Sequence, residues 1–170
     1  LVTTTDCLLN SNRNPKMSKR QIEDLLSDYL NVSQIIWLDN GTGDETDGHV
    51  DGLCCFARPG EVILGWTDDP QNDYFEIVHE AFEALSSARD ARGRSLLIHK
   101  LPIPEPMYLT QTEADGIEIN EFAYPREVGM PIADSYINFY MPNGGIVLPA
   151  YEQPADREAQ AALARIFPDR

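Results

Sequence analysis

Residues 41–56 read GTGDETDGHVDGLCCF, and this stretch concentrates side chains that can perform acid–base chemistry or bind a ligand. Glycines at positions 41, 43 and 48 allow the backbone around them to turn tightly. Five of the sixteen residues carry a carboxylate or an imidazole, namely Asp44, Glu45, Asp47, His49 and Asp51. So much negative charge in one short stretch favours a cationic ligand.

The second half of this stretch, within residues 49–57, is predicted to be a β-strand. Side chains of a strand alternate between its two faces, so His49 and Asp51 are expected on the same face, where they would form a small acid–base unit. Cys55 is expected on that face too, but about 13 Å beyond Asp51 at about 3.3 Å per residue. We therefore predict that Cys55 and its neighbour Cys54 are structural thiols.

The composition indicates one domain that binds neither nucleic acid nor a membrane. The chain has 170 residues, which is enough for one core of ordinary size. Thirteen Lys and Arg against 28 Asp and Glu give a net charge of −15, so the basic surface that nucleic acids and anionic membranes need is missing. The charge suits a cationic small molecule, although it also serves solubility alone. With three cysteines, no long apolar run and no visible signal peptide, a cytoplasmic location is expected.

Hydrophobic patterns and turn residues predict alternating strands and helices. Ser18 and Gln21 form a capping box that begins a helix, and Arg58-Pro59-Gly60 and Asn143-Gly144 mark two hairpin turns. Strands are predicted at residues 1–9, 34–38, 49–57, 61–66, 95–101, 135–141 and 145–149. Helices are predicted at 19–30, from 68 to a stop at Gly93, and at 154–167, the last with Ala161, Leu163, Ala164 and Phe167 inward. Residues 108–134 are expected to form a long excursion.

The predicted strands and helices follow one another in an order that repeats along the chain. Strand, helix, strand occurs in residues 1–38, and the full order of hairpin, helix, strand occurs across residues 49–101. The order begins again at residue 135 and stops after the last helix. A unit used about three times indicates a repeat of structure, although the units differ in length.

Several segments together resemble the agmatine deiminases. They are GDETDGHVD (43–51), LVTTTDCLLNSNRNP (1–15), LPIPEPMY (101–108), SYINFYMPNGGIVLP (135–149) and IFPDR (166–170). The agmatine deiminases belong to the bacterial-type peptidyl-arginine deiminase family, within the guanidine-modifying (pentein) superfamily, and the resemblance covers essentially all 170 residues in the same order. It implies an α+β fold, a pentein-type α/β propeller of five ββαβ units, of which about three are present. Residues 1–170 are then expected to be an internal fragment of a single domain, lacking N-terminal units and the C-terminal segment with the nucleophile.

The resemblance also implies a reaction and the residues that perform it. The reaction is hydrolysis of the guanidine group of agmatine to N-carbamoylputrescine and ammonia, in polyamine biosynthesis, through a Cys-thiouronium intermediate whose cysteine lies outside this chain. His49 matches the catalytic histidine, and Asp51 matches a catalytic carboxylate that holds the guanidinium. Glu45 matches an acidic substrate-binding position in the same loop, and Asn138 a polar substrate-binding position of the peptidyl-arginine branch. No cofactor and no metal are implied.

The chemistry of a guanidinium explains these residue types. A guanidinium is planar, always charged and rich in N–H donors, so carboxylates hold it best in bidentate pairs. Its carbon is a poor electrophile because resonance stabilises it, and attack therefore requires a thiolate. A histidine can protonate the departing ammonia and later deprotonate the attacking water.

Three other functions remain open from the sequence. One is a peptidyl-arginine deiminase that produces citrulline, and another is a non-catalytic acidic module that binds cationic ligands. The third is a metal-dependent hydrolase, since His-x-Asp also occurs at metal sites, although the loop lacks the spacing of an EF-hand. The expected partner is a small cationic guanidine, agmatine, with no nucleic acid and no membrane, and a homo-oligomer of the full-length enzyme is left open.

Overall fold

The computed structural model describes residues 1–42, 47–118 and 126–170. The strands are β1 (Val2–Thr4), β2 (Ile36–Leu38), β3 (Cys54–Arg58), β4 (Glu61–Trp66) and β5 (Leu97–Pro102). The helices are α1 (Thr5–Leu8), α2 (Lys19–Leu30), α3 (Phe75–Ser87), α4 (Gln111–Asp115) and α5 (Pro154–Ile166). The described residues therefore form a mixed α/β structure, as predicted.

The first sheet pairs β1 with β2 in parallel, and α2 connects them. The predicted capping box of α2 is confirmed, since Ser18 N donates to Gln21 Oε1 at 2.8 Å and Gln21 N donates to Ser18 Oγ at 3.4 Å. The predicted strand 1–9 is wrong beyond Thr4. There the Thr4 side chain accepts from Cys7 N at 3.3 Å and caps α1, so a short helix replaces the rest of the strand.

The second sheet has the order β3-β4-β5. The hairpin of β3 and β4 turns at Gly60, which has a φ of +86°, and β5 joins β4 in parallel after α3. The order of hairpin, helix and strand predicted for residues 49–101 is thus confirmed. The predicted stop of the helix at Gly93 is wrong, because Ala88 already has an extended backbone and the Asp90 side chain organises the loop that follows.

The central strand of the second sheet, β4, is buried on both faces. Val62 and Leu64 of β4 pack into a core that includes α3 and β2. Ile63, which points to the opposite face, packs into a second core with α5. The alternation of β4 therefore separates the two cores.

The third predicted unit lacks its strands. Residues 135–149 contain one isolated bridge, in which Tyr140 N donates to Val147 O at 3.0 Å and Val147 N donates to Tyr140 O at 2.8 Å. The turn at Asn143-Gly144 is present, but the flanking prolines Pro142 and Pro149 cannot donate to a ladder, so it does not extend.

The last helix is confirmed, but its predicted buried face is half wrong. Leu163 and Phe167 are buried as expected, whereas Ala161 and Ala164 are exposed. The other buried positions of this helix are Ala159, Ala162 and Ile166. Small alanines on both faces gave the pattern little contrast, and the larger Ile166 decides which face is inward.

The excursion predicted at 108–134 folds back on itself in its described part. Leu109 N donates to Met130 O at 2.8 Å and Ile132 N donates to Met107 O at 2.9 Å, so its two ends lie side by side. In the described ranges, no helix combines the length and the apolar character that crossing a membrane requires.

Candidate active site

His49 and Asp51 lie on a tight turn, so the prediction of a strand beginning at residue 49 is wrong. Val50–Gly52 form one turn of 3₁₀-helix, closed by Leu53 N donating to Val50 O at 2.9 Å, and β3 begins only at Cys54. The two side chains are nevertheless neighbours, with His49 Nδ1 at 3.7 Å from Asp51 Oδ1. Their proximity comes from the turn and not from the alternation of a strand.

A close backbone approach fixes the position of this turn. A Cβ added at Gly41 would lie 2.0 Å from Gly48 O, so only glycine fits at this crossing. Gly48 itself has a φ of +73°, which also favours glycine. Thr4 Oγ1 donates to Gly48 O at 2.5 Å, and this bond joins the end of β1 to the residue that precedes His49.

Arg13 contacts His49 on the side opposite Asp51. Its Nη2 lies 3.0 Å from His49 Nε2 and 4.0 Å from Asp47 Oδ2. A guanidinium has donors only, so Nε2 must accept in this contact, and in a neutral ring the proton then lies on Nδ1, towards Asp51. The structure thus places a guanidinium against the imidazole that the sequence predicts to act on a guanidine.

No role was predicted for Arg13 from the sequence. Arg13 lies in NRNP, which is part of a segment that carries the family resemblance. That resemblance was the only indication in the sequence that Arg13 could belong to the site. Its position 36 residues before His49 gave no indication that the two side chains meet.

Asn138, in the segment 135–138, contacts the same turn. Its Nδ2 donates to Asp51 Oδ2 at 3.2 Å. The segment is held in place by Ser135, whose Oγ donates to Gly52 O at 2.7 Å and accepts from Ile137 N at 3.0 Å. Three of the four predicted site residues are therefore brought together, whereas Glu45 lies outside the residues that the structure describes.

A cavity of about 280 Å³ lies beside these residues. His49, Asp51 and Asn138 line it together with Tyr74, Asp134 and Tyr151. Small-molecule sites commonly have volumes of about 300–1,000 Å³, so this cavity suits a small ligand. Asp134 is a second carboxylate of the cavity, and from the sequence it was predicted only to lie at the end of the excursion.

The cysteines of the chain are not part of this cavity. Cys54 and Cys55 lie on β3, where burial raises the pKa of the Cys54 thiol to about 12 and that of the Cys55 thiol to about 11. Both thiols are therefore protonated at neutral pH, as structural thiols are. Cys7 is half-buried in α1 and lines no part of the cavity.

The carboxylates around His49 do not form a metal-ligand set within the described residues. No three His, Cys, Asp or Glu side chains of residues 1–42, 47–118 and 126–170 converge as the ligands of a metal ion would. The acidic residues Asp44 and Glu45 lie outside these ranges.

The chain matches known proteins over its whole length. The profile of the Porphyromonas-type peptidyl-arginine deiminase family matches residues 1–170. An agmatine deiminase of Pseudomonas aeruginosa (strain LESB58) is 52% identical over 170 residues, which are 99% of this chain and 46% of that protein. An agmatine deiminase of Pseudomonas putida (strain F1) is 49% identical over the same shares.

Solved structures of agmatine deiminases are similar in fold. The agmatine deiminase of Enterococcus faecalis superposes with a TM-score of 0.92 at 40% identity, covering 99% of this chain and 46% of that one. A cysteine-to-serine variant of the C. jejuni agmatine deiminase with substrate bound superposes with a TM-score of 0.78 at 28% identity, covering 99% and 44%. The chain thus spans about half the length of the relatives that it matches.

Proposed function

The chain belongs to the Porphyromonas-type peptidyl-arginine deiminase family, and on this basis we propose that it carries the acid–base and guanidinium-binding half of an agmatine deiminase site. The substrate is agmatine, and the products are N-carbamoylputrescine and ammonia. The single observation that carries the proposal is the grouping of His49, Asp51 and Asn138 at one small cavity. Relatives that are 52% and 49% identical in sequence are named agmatine deiminase, and they support the choice of substrate.

Asp51 receives the guanidinium in this proposal. A carboxylate accepts two parallel N–H bonds from a guanidinium, and Asn138 holds one of its oxygens in place. Glu45, in the same acidic loop, is proposed as a further substrate-binding carboxylate. Several carboxylates close to one cation both attract the substrate and fix the orientation of its plane.

His49 moves the protons. A thiolate forms a bond to the guanidine carbon, and the C–N bond then breaks as ammonia leaves with a proton from the imidazolium form of His49. His49 next takes a proton from water, which attacks the thiouronium carbon and breaks the C–S bond to release the urea product. The contact of Arg13 with Nε2 supports this role, because it presents N–H donors of the kind that a substrate guanidinium would present.

The nucleophilic cysteine is proposed to come from outside these 170 residues. The raised pKa values of Cys54 and Cys55 and their absence from the cavity argue against a nucleophile within the described chain. The C. jejuni enzyme whose cysteine was replaced by serine holds its substrate, which supports a cysteine nucleophile in the family. We therefore propose that the chain is an internal part of a longer domain and holds about three of five ββαβ units of a pentein propeller.

A peptidyl-arginine deiminase is the second candidate, because the family profile bears that name. The two functions differ in what lies beyond the guanidine, namely a free amine or a peptide backbone. Relatives that are 49–52% identical and are named agmatine deiminase favour the first candidate.

Ammonia release by the full-length protein tests the proposal. We expect turnover of agmatine, little turnover of peptide-bound arginine, full activity in the presence of a chelator and loss of activity with iodoacetamide. Turnover of neither guanidine would leave a binding module as the better interpretation, and loss of activity with the chelator would favour a metal-dependent hydrolase.

A further inference from the structure

Asp134 is the one acidic or basic side chain that is buried in the described part of the chain, with 7% of its surface exposed. It lines the same cavity as His49 and Asp51. A buried carboxylate is costly unless hydrogen bonds or a cation compensate it. Its burial therefore calls for a physical explanation that the chemistry at His49 does not supply.

The described partners of Asp134 are backbone groups only. Its Oδ2 accepts from Met107 N at 3.1 Å, and its own backbone N–H also contributes. Within residues 1–42, 47–118 and 126–170, no Lys or Arg forms an ion pair with it. A carboxylate has about four acceptor sites, so acceptor capacity remains for a cationic ligand. Burial also raises the pKa of this carboxyl, and a cation beside it would counteract that shift.

The position of Asp134 relative to the guanidinium end of the cavity is fixed by one short segment. Asn138, which contacts Asp51, is four residues from Asp134, so their Cα atoms are at most about 14 Å apart. Ser135 lies between them and is anchored to Gly52 at 2.7 Å. Agmatine has six bonds between its guanidine carbon and its distal nitrogen, a span of about 7–8 Å when extended. When the lengths of the Asp51 and Asp134 side chains are added, the two carboxylates can contact the two ends of one agmatine molecule.

We propose that Asp134 binds the distal ammonium of agmatine and so determines the specificity of the site for a dicationic substrate. This inference rests on the proposed function. Asp51 holds the guanidinium at one end of the cavity, and Asp134 pairs with the ammonium at the other. A peptide-bound arginine presents neutral amides at that end and leaves the Asp134 carboxylate without a cation. Asp134 thus discriminates between the two substrate classes of the family.

A pair of substrates isolates this contact in the full-length protein. Pentylguanidine is agmatine with a methyl group in place of the ammonium. We expect the wild-type protein to prefer agmatine by about 30-fold or more in kcat/KM, the lower range for removing one partner of a buried charge pair. In Asp134→Asn this preference should fall below about threefold, because turnover of agmatine drops while that of pentylguanidine stays. Asp28→Asn, the same change on the exposed face of α2, is the matched control and should keep the wild-type preference.

Other outcomes would overturn the inference. A wild-type protein that hydrolyses both guanidines equally well, or an Asp134→Asn variant that keeps the preference, would show that Asp134 does not contact the ammonium. Equal losses on both substrates would make Asp134 a structural residue. Ammonia from neither guanidine in the wild type would instead contradict the proposed function, and the inference would fail with it.

A second variant keeps the inference testable if Asp134→Asn does not fold, which circular dichroism would detect. Asp134→Glu moves the carboxylate towards the ligand by one methylene group. We expect its chain-length preference to shift from agmatine to 3-aminopropylguanidine, which is one carbon shorter. An unchanged order of chain lengths, or failure of both variants to fold, would overturn the inference.

Discussion

Asn138 donates a hydrogen bond to Asp51 at 3.2 Å, although the two residues are 87 positions apart in the chain. The bond joins the segment after the long excursion to the turn that follows the acidic loop. It leaves the other oxygen of Asp51 towards His49, at 3.7 Å from Nδ1. One carboxylate therefore has an amide donor on one side and an imidazole beside it on the other.

Loss of this amide should weaken catalysis moderately. We expect Asn138→Ala to lower kcat/KM for agmatine by about tenfold, because a hydrogen bond to a charged group contributes about 1.5–3 kcal/mol and Asn138 is exposed to screening by solvent. Steady-state kinetics of the full-length protein measure this change. Asn143 is an exposed amide a few residues further along the chain. Asn143→Ala is therefore the control and should leave kcat/KM unchanged. Equal kinetics for the two variants would remove Asn138 from the site.

Removal of the imidazole should affect turnover more than binding. We expect His49→Ala to lower kcat by about 10²–10⁴-fold, the usual contribution of a positioned acid–base residue. Ammonia release at saturating agmatine is the assay. His99→Asn removes an imidazole that pairs with Glu61 at 2.8 Å on the second sheet and lines no part of the cavity, so its kcat should be unchanged. A His49→Ala variant with more than about a third of wild-type kcat would contradict the assigned role.

The thiols of β3 should be dispensable for chemistry. We expect Cys55→Ser to keep kcat within about threefold of wild type, because its thiol has a pKa of about 11 and lies outside the cavity. A loss of turnover without a change in the thermal unfolding profile would make Cys55 the nucleophile and remove the need for a cysteine elsewhere.

Asp156 links α5 to the segment of Asn138, and its ionisation should appear in the stability. Its carboxylate accepts from Tyr136 Oη at 2.5 Å and from Tyr151 N at 3.0 Å. These bonds, the Tyr136 bond first, lower the pKa of this carboxyl below its ordinary 3.8. A group with a depressed folded-state pKa stabilises the fold fully above its unfolded pKa, and this contribution is lost as the pH falls through the folded value.

We therefore expect Asp156→Asn to be less stable than wild type at pH 6, with the difference in Tm shrinking below about pH 4. Thermal unfolding followed between pH 6 and pH 2.5 measures the difference. Asp28→Asn, at an exposed position of α2, should show no such pH-dependent difference. A constant difference between Asp156→Asn and wild type at all pH values would show that the charge of Asp156 does not contribute.

The sequence predicted the elements whose signals are local. The capping box at Ser18 and Gln21 and the hairpin turn at Gly60 depend on neighbouring residues, and both are confirmed. The strand predicted at His49 failed because backbone constraints from elsewhere, the crossing of Gly41 and Gly48, impose a turn there. The strands predicted after residue 134 failed because the prolines on either side of the turn limit the ladder to one bridge.

In the candidate site, too, local signals predicted some residues and long-range contacts placed the others. His49 and Asp51 were predicted as neighbours because they are two residues apart, and their side chains do meet, on a turn. Arg13 and Asp134 were missed because their places depend on contacts over 36 and 27 residues, with His49 and Met107 respectively. Long-range packing of this kind leaves no periodic signal in a single sequence.

The kinetics of Asp51→Asn test the central claim, that the carboxylate beside His49 holds a guanidinium for hydrolysis. The substitution keeps the size of the side chain and removes its charge, so one acceptor becomes a donor that faces the N–H groups of the substrate. The Asp51 side chain is 60% exposed in this structure, so we expect a loss below that of a fully buried ion pair, about 10–10³-fold in kcat/KM.

The measurement is steady-state ammonia release from agmatine by the full-length protein, with and without added divalent metal, beside Asp28→Asn as the control. The account predicts a large loss in Asp51→Asn that metal does not restore and wild-type kinetics in the control. Wild-type kcat/KM in Asp51→Asn, or its recovery on addition of metal, would contradict the account.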